Sequence, residues 1–150
     1  METIEEVLTR QPFFKGLEPH DIELIAGCAS NVQFRPGEFL FREGNEANAF
    51  YVIKQGKVTV ETFVPGRGPI TLQTVVPDDV IGWSWLFPPY QWTFDARALD
   101  MTRAISFDAK CLREKSDEDH DLGYKLMQRF AQIIIDRLQA TRMQLLDLKF

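Results

Sequence analysis

The spacing of apolar positions changes twice along the chain. Up to about residue 30 it is helical: Ile4, Val7 and Leu8 fall on one face before Pro12 interrupts. Pro19 then opens a second run carried by Ile22, Leu24, Ile25 and Cys28. From about 31 to 107 the apolar stretches shorten, with turn residues between them at Pro36-Gly37, Gly44-Asn45, Gln55-Gly56, Pro65-Gly66, Pro77-Asp78-Asp79 and Pro88-Pro89. Phe50-Tyr51-Val52-Ile53 is rich in strand formers. Val58, Val60 and Thr62 alternate with Thr59, Glu61 and Phe63, which predicts a half-buried strand. No amphipathic helix separates these strands, so an antiparallel roll is expected rather than a parallel sheet.

Helical spacing returns near the end of the chain. Phe107 to Lys115 predicts a short helix with Asp108 as its cap, and Ser116 followed by Asp119 predicts the start of a long helix running to about Lys149. At ~1.5 Å per residue that helix would measure ~45 Å, more than the core of so small a domain requires. Met127, Phe130, Ile134, Leu138, Thr141, Leu145 and Leu148 step by three or four, while Leu122, Leu126, Ile133 and Ile135 widen the apolar surface. One reading is a single wide stripe packed on the chain's own roll. The other is two faces, one for the roll and one for the same helix of a second copy. Length and width together favour the homodimer, with Met127, Phe130, Ile134, Leu138 and Leu145 at the contact. The expected fold is mainly β with flanking helices: an antiparallel, jelly-roll-like β-roll (31–107) between N-terminal helices (1–30) and C-terminal helices (108–150), in one domain over 1–150.

Composition changes this picture little. Of 150 residues, 45% are hydrophobic and 26% charged, with a formal net charge of −5 and no dense Lys/Arg run, which disfavours a nucleic-acid or anionic-membrane grip. The start at Met1-Glu2-Thr3-Ile4-Glu5-Glu6 lacks the features of a secretory signal, and no run approaches the ~18 apolar residues of a membrane span. Cys28 and Cys111 show no CxxC pairing and read as two small core thiols, in keeping with a reduced, cytoplasmic setting. His20 and His120 form neither H-x-H nor HExxH, so a metal-dependent cupin is not indicated. For these histidines and the two cysteines, solvated or core roles are expected rather than haem ligation. No triad or acid/base pair is recognisable, and no enzymatic activity is expected.

The order of helices, turn-rich strands and long helix resembles the cyclic-nucleotide-binding domain superfamily, especially the sensory half of catabolite-activator and Fnr-type bacterial regulators. Phe13-Phe14-Lys15-Gly16-Leu17 looks like that family's entry motif. Phe34-Arg35-Pro36-Gly37-Glu38 and Leu40-Phe41-Arg42-Glu43-Gly44 look like its first two strands, and Phe50-Tyr51-Val52-Ile53 with Gly56-Lys57-Val58 like its strand-turn-strand signature. The resemblance covers almost the whole chain.

It implies a ligand held inside the roll by a phosphate-binding cassette that begins Gly-Glu and ends Arg-Ser/Thr-Ala. The turn's amides and the Arg hold the phosphate, while the Glu accepts from the ribose hydroxyl. The corresponding segment is Gly82-Trp83-Ser84-Trp85-Leu86-Phe87-Pro88-Pro89-Tyr90-Gln91-Trp92-Thr93-Phe94-Asp95-Ala96-Arg97-Ala98. Gly82 is kept, Trp83 stands at the Glu position, Trp92 at the Arg position, and Thr93 keeps the hydroxyl. Each lost charged hydrogen bond is worth about 1.5–3 kcal/mol, so together they weaken a cyclic nucleotide by roughly two to four orders of magnitude. Arg97, five residues from Trp92, points to the opposite face of a regular strand.

All three tryptophans lie in this cassette. They either fill the vacated pocket as core, or line a pocket for a flat or apolar ligand, or support a nucleotide by stacking. The candidate pocket residues are Gly82, Trp83, Ser84, Trp85, Trp92, Thr93 and Thr141. Thr141 resembles a long-helix Thr that contacts the base in some members. The resemblance thus implies a stand-alone regulatory sensor with no resident cofactor, signalling through its C-terminal helix. The alternative is a cyclic-nucleotide receptor with an aromatic pocket, acting on a separate effector protein. In the regulators a winged helix-turn-helix follows the long helix. Here the chain stops at Leu148-Lys149-Phe150, so direct DNA binding is not expected.

Overall fold

The computed structural model describes residues 2–149, and Met1 and Phe150 of the chain ends quoted above lie outside them. Three helical pieces come first: α1 (Ile4–Arg10), a 3₁₀ turn at Pro12–Phe14, and α2 (Pro19–Ala26). Thr3 and Glu6 close a capping box on α1, and Pro19 opens α2 where its missing N–H costs nothing. The roll follows as β1 (Ala29–Phe34), β2 (Phe39–Phe41), β3 (Ala49–Gln55), β4 (Val58–Val64), β5 (Gly68–Val75), β6 (Val80–Ile81), β7 (Asp95–Ala98) and β8 (Thr102–Asp108). The pairing is antiparallel, in two four-stranded sheets of order β1-β8-β3-β6 and β2-β7-β4-β5. The mainly β roll with flanking helices is therefore observed.

Two corrections concern element details, one to the helix boundaries and one to a strand. The short helix α3 (Ala109–Glu118) is capped by Asp108 as expected, through Cys111 N–H to Asp108 Oδ1 at 2.8 Å, but Phe107 belongs to β8 and Ser116 lies inside α3. The long helix α4 (His120–Lys149) starts instead after Asp119, whose Oδ1 accepts from Leu122 N–H at 3.2 Å. The alternation read on β4 also fails at Glu61. That carboxylate is buried because Arg97 donates to it at 2.8 Å and the Thr59 hydroxyl at 2.9 Å. Strand pattern alone does not reveal a partner on the neighbouring strand.

A third correction concerns the cysteines. Cys28 and Cys111 are joined in a disulfide across 83 residues, tying the α2–β1 junction to the first turn of α3. Their distance in sequence hid the pairing that antiparallel β1 and β8 bring about, since Ala29 pairs with Phe107.

The main core lies between the β1-containing sheet and the helices. Leu8, Phe14, Ile25, Phe50, Phe107, Leu112, Leu122 and Leu126 are all essentially inaccessible there. Polar ties fix α4 against the N-terminal helices. Arg129 donates to the carbonyls of Phe13 (2.9 Å) and Lys15 (2.7 Å), and Lys125 donates to Asp21 at 2.9 Å. Burial pushes the Asp21 carboxyl up, but the Lys125 ammonium and the Glu18 N–H outweigh it and hold it below the ordinary range. The hydrogen bond to Asp21, and then that to Asp121, pushes the Lys125 ammonium up.

Phe130 needs a correction of its role. It was expected at a dimer contact, yet it is 1% exposed and its ring meets Trp85, Phe50 and Phe13 edge to face within its own core. Leu122, Leu126 and Phe130 form the core-facing side of α4. Met127, Leu138 and Leu145 lie about a quarter turn or more around the helix and are 42%, 49% and 55% exposed, with Ile134 half-buried between them. No helix among the described residues is long and apolar enough to cross a membrane.

Candidate functional site

A cavity of about 580 Å³ lies between the sheet β2-β7-β4-β5, the segment after β6, and one side of α4. Phe41 comes from β2, Val60 from β4, and Leu72 and Gln73 from β5. The segment Asp79 to Ser84 and the stretch Trp92 to Phe94 close one end. The helix contributes Ile133, Asp136, Arg137, Ala140, Thr141 and Gln144, whose spacing of three and four keeps them on one face. The volume is that of a small-molecule site, and the wall is largely apolar.

The structure separates the expected pocket residues into two groups. Gly82, Trp83, Ser84, Trp92, Thr93 and Thr141 all border this cavity. Trp85 does not. It is 1% exposed and stacked on Phe50 at 5.2 Å, so it belongs to the core rather than to the pocket. Its position follows from the 3₁₀ turn Ser84–Leu86, which turns the residue after Ser84 inward.

Trp92 borders the cavity but is itself packed, at 4% exposure. Its backbone is pinned to the turn before β3, with its N–H donating to Asn45 O at 2.9 Å and its carbonyl accepting from Gly44 N–H at 2.9 Å. Its ring lies against the backbone of Gly82. A Cβ on Gly82 would come within 2.7 Å of the indole, and the φ of +102° there also favours glycine. Glycine at this position thus serves the tryptophan packing directly. Trp83 is half-buried on the cavity wall.

Polar residues border the cavity from both sides, Gln73, Asp79, Ser84 and Thr93 from the sheet and cassette and Asp136, Arg137, Thr141 and Gln144 from α4. Thr141 borders it, but its hydroxyl donates back to the Arg137 carbonyl at 2.9 Å. Arg137 is the only basic residue of the lining among the described residues, and its Nη2 donates to Leu72 O at 3.1 Å. Arg97, as expected, faces away from the cavity and is occupied by Glu61. The sequence reading missed the contribution of Ile133, Asp136, Arg137, Ala140 and Gln144 as a wall. The i, i+3/i+4 spacing from Ile133 through Thr141 was the available signal.

The cyclic nucleotide-binding domain profile matches residues 31–119, more than half of the chain. This chain belongs to the cyclic nucleotide-binding domain family. A CRP-like cAMP-activated global transcriptional regulator of Mycobacterium tuberculosis is 29% identical over 147 residues, which cover 98% of this chain and 64% of that regulator. The chain therefore spans just under two thirds of that relative's length. Among solved structures, a Geobacter metallireducens protein assigned to cyclic nucleotide binding superposes with a TM-score of 0.79 at 28% identity, covering 92% of this chain and 99% of that one. The N-terminal domain of a transcriptional regulator from Streptomyces coelicolor gives 0.71 at 25% identity, covering 90% and 94%. Members of this family are regulatory domains, and the cavity described above lies largely within the matched span, closed by α4 beyond it.

Proposed function

We propose that this family member is a ligand sensor that does not recognise cAMP or cGMP in the family's usual way, and that it signals through α4. One observation carries the reading. The ring at the position where the resemblance places the phosphate-binding arginine, that of Trp92, is buried and stacked on Phe41 instead of presenting a charge to the cavity. With Trp83 where the resemblance places the ribose-binding residue, the cassette residues on the wall, Gly82 to Ser84 and Trp92 to Phe94, offer neither a cation nor a carboxylate to a cyclic nucleotide's phosphate and ribose hydroxyl.

The second half of the reading rests on α4. One side of this helix walls the cavity while another exposes Met127, Leu138 and Leu145. A change at the cavity is thereby felt by an apolar helix face suited to the same helix of a second copy. The domain would thus act as a homodimer on a separate effector, with no DNA contact assigned to the described elements.

Thermal melting with cAMP or cGMP tests the nucleotide claim. A ligand that binds the folded state stabilises it by RT ln(1 + [L]/Kd), so about 0.1 mM nucleotide adds ~2.7 kcal/mol at micromolar Kd and well under ~1 kcal/mol at a Kd of about 100 µM or weaker. No appreciable rise in Tm is expected, and a rise of several degrees overturns the reading.

A second reading is a working nucleotide receptor with an aromatic pocket. The open cavity, with Thr93 and Thr141 on its wall, favours it. On that reading Thr141→Ala or Ser84→Pro lowers a measurable nucleotide affinity. On the first there is no such affinity to lower.

A further inference from the structure

We infer that the cavity takes a flat aromatic ligand carrying one negative charge, and that the charge is held by Arg137 of α4 rather than by the cassette. This rests on the reading of the cavity as a ligand site. Arg137 is a half-buried residue on a mostly apolar wall, where a cation without a counter-ion is unfavourable. A guanidinium has five N–H donors, yet the hydrogen bond found here is the one to Leu72 O. Among the described residues no carboxylate forms an ion pair with it.

Two carboxylates do border the cavity, and each is engaged within its own segment. Asp79 Oδ2 accepts from Val76 N–H at 3.1 Å, and Asp136 Oδ1 accepts from Gln132 Nε2 at 2.8 Å. Arg137 therefore presents free donors to the cavity, while the two acidic neighbours disfavour a multiply charged ligand. A planar monoanion matches that balance, since its head can take two parallel N–H bonds from the guanidinium. Trp83, where the resemblance places a ribose acceptor, supplies an apolar wall that suits an aromatic body without a sugar.

The geometry also couples occupancy to the helix. An anion on the free donors of Arg137 joins a guanidinium that already holds β5 through the Leu72 carbonyl, so occupancy links the ligand's charge to both α4 and β5. The ligand's charge thus acts on the same helix that carries the exposed apolar face.

The test uses the intact chain with 2-naphthoate and its neutral isostere 2-naphthamide, read by calorimetry and by tryptophan fluorescence. The anion should bind roughly ten- to a hundredfold more tightly than the amide, the range of one charge-assisted interaction. Arg137→Gln should bring the ratio close to one by weakening the anion far more than the amide, and Arg137→Lys should keep part of the preference. Ala140→Trp, which fills the cavity, should abolish binding of both probes and so exclude the outer face of α4 as the binding place. Equal affinities for the two probes in the unaltered chain would overturn the role of Arg137 and leave the cavity standing as a ligand site. Failure of both probes to bind at millimolar concentration would overturn the aromatic site itself. Tighter binding of cAMP than of naphthoate would overturn the ligand class and the proposed function together.

Discussion

The indole of Trp92 lies flat on the ring of Phe41, with centroids 3.7 Å apart and planes 9° from parallel. This stack joins the end of the cassette to β2. Trp92→Ala should therefore enlarge the cavity and destabilise the fold by about 3–5 kcal/mol, the usual range for losing a buried aromatic side chain. Denaturant melts with an unchanged m-value would check it. A loss below about 1 kcal/mol would mean that the ring is not packed in solution.

Gly82→Ala probes the same packing from the other side. The added methyl meets the indole, and the positive φ adds backbone strain. The expected loss is about 1–3 kcal/mol, and it should shrink in a Trp92→Ala background, where the obstructing ring is gone and only the backbone strain remains. Additive losses in the double mutant cycle would show that the two residues do not meet.

The exposed apolar face of α4 predicts association. Leu138→Lys together with Leu145→Lys places charges at positions 49% and 55% exposed, so the fold should survive while the dimer is lost. Light scattering should show a dimer for the unaltered chain and a monomer for the variant. A monomer in both cases removes the interface from the account.

Cys28 and Cys111 are not exchangeable for serines without cost. Their bond closes a long loop of the unfolded chain, so reduction or Cys28→Ser should lower stability by about 2–4 kcal/mol. In a domain of this size each kcal/mol corresponds to about 2–4 °C in Tm. Melting with and without a dithiol reductant reads this directly, and identical curves would show that the bond is not formed in solution.

The Asp21–Lys125 pair sets an acid-side dependence. Asp21 has a lowered folded pKa, so its contribution is present above the ordinary carboxylate value near ~3.9 and is lost as pH falls through the folded value. The raised ammonium of Lys125 works at the other end, its contribution being lost only as pH rises past the ordinary lysine range. Asp21→Asn should therefore lower Tm at pH 7 but reduce the further loss on acidification below about pH 4. Parallel pH curves for the two proteins would contradict the assignment.

Most of the roll was legible because turn residues and alternating apolar positions mark strands directly. Gly37, Gly44 and Gly56 stand at the reversals with positive φ. The long helix was legible from its spacing, but not the division of its faces. Phe130 and Met127 look equivalent in sequence, and only the nearby rings of Trp85 and Phe50 decide that one is core. Trp85 and Trp92 were equally undecidable, since rings that fill a pocket and rings that line one have the same composition. The Cys28–Cys111 bond and the Arg97–Glu61 pair were hidden for a common reason: both join residues far apart in sequence that strand pairing brings together.

The central claim is that a cavity of the family's kind persists without the family's usual means of holding a cyclic phosphate. Calorimetric titration of the unaltered chain with cAMP measures this most directly. The account predicts a dissociation constant of roughly 100 µM or weaker, two or more orders of magnitude from a micromolar site. A saturable, one-to-one heat with a constant of about 1 µM or tighter would contradict it.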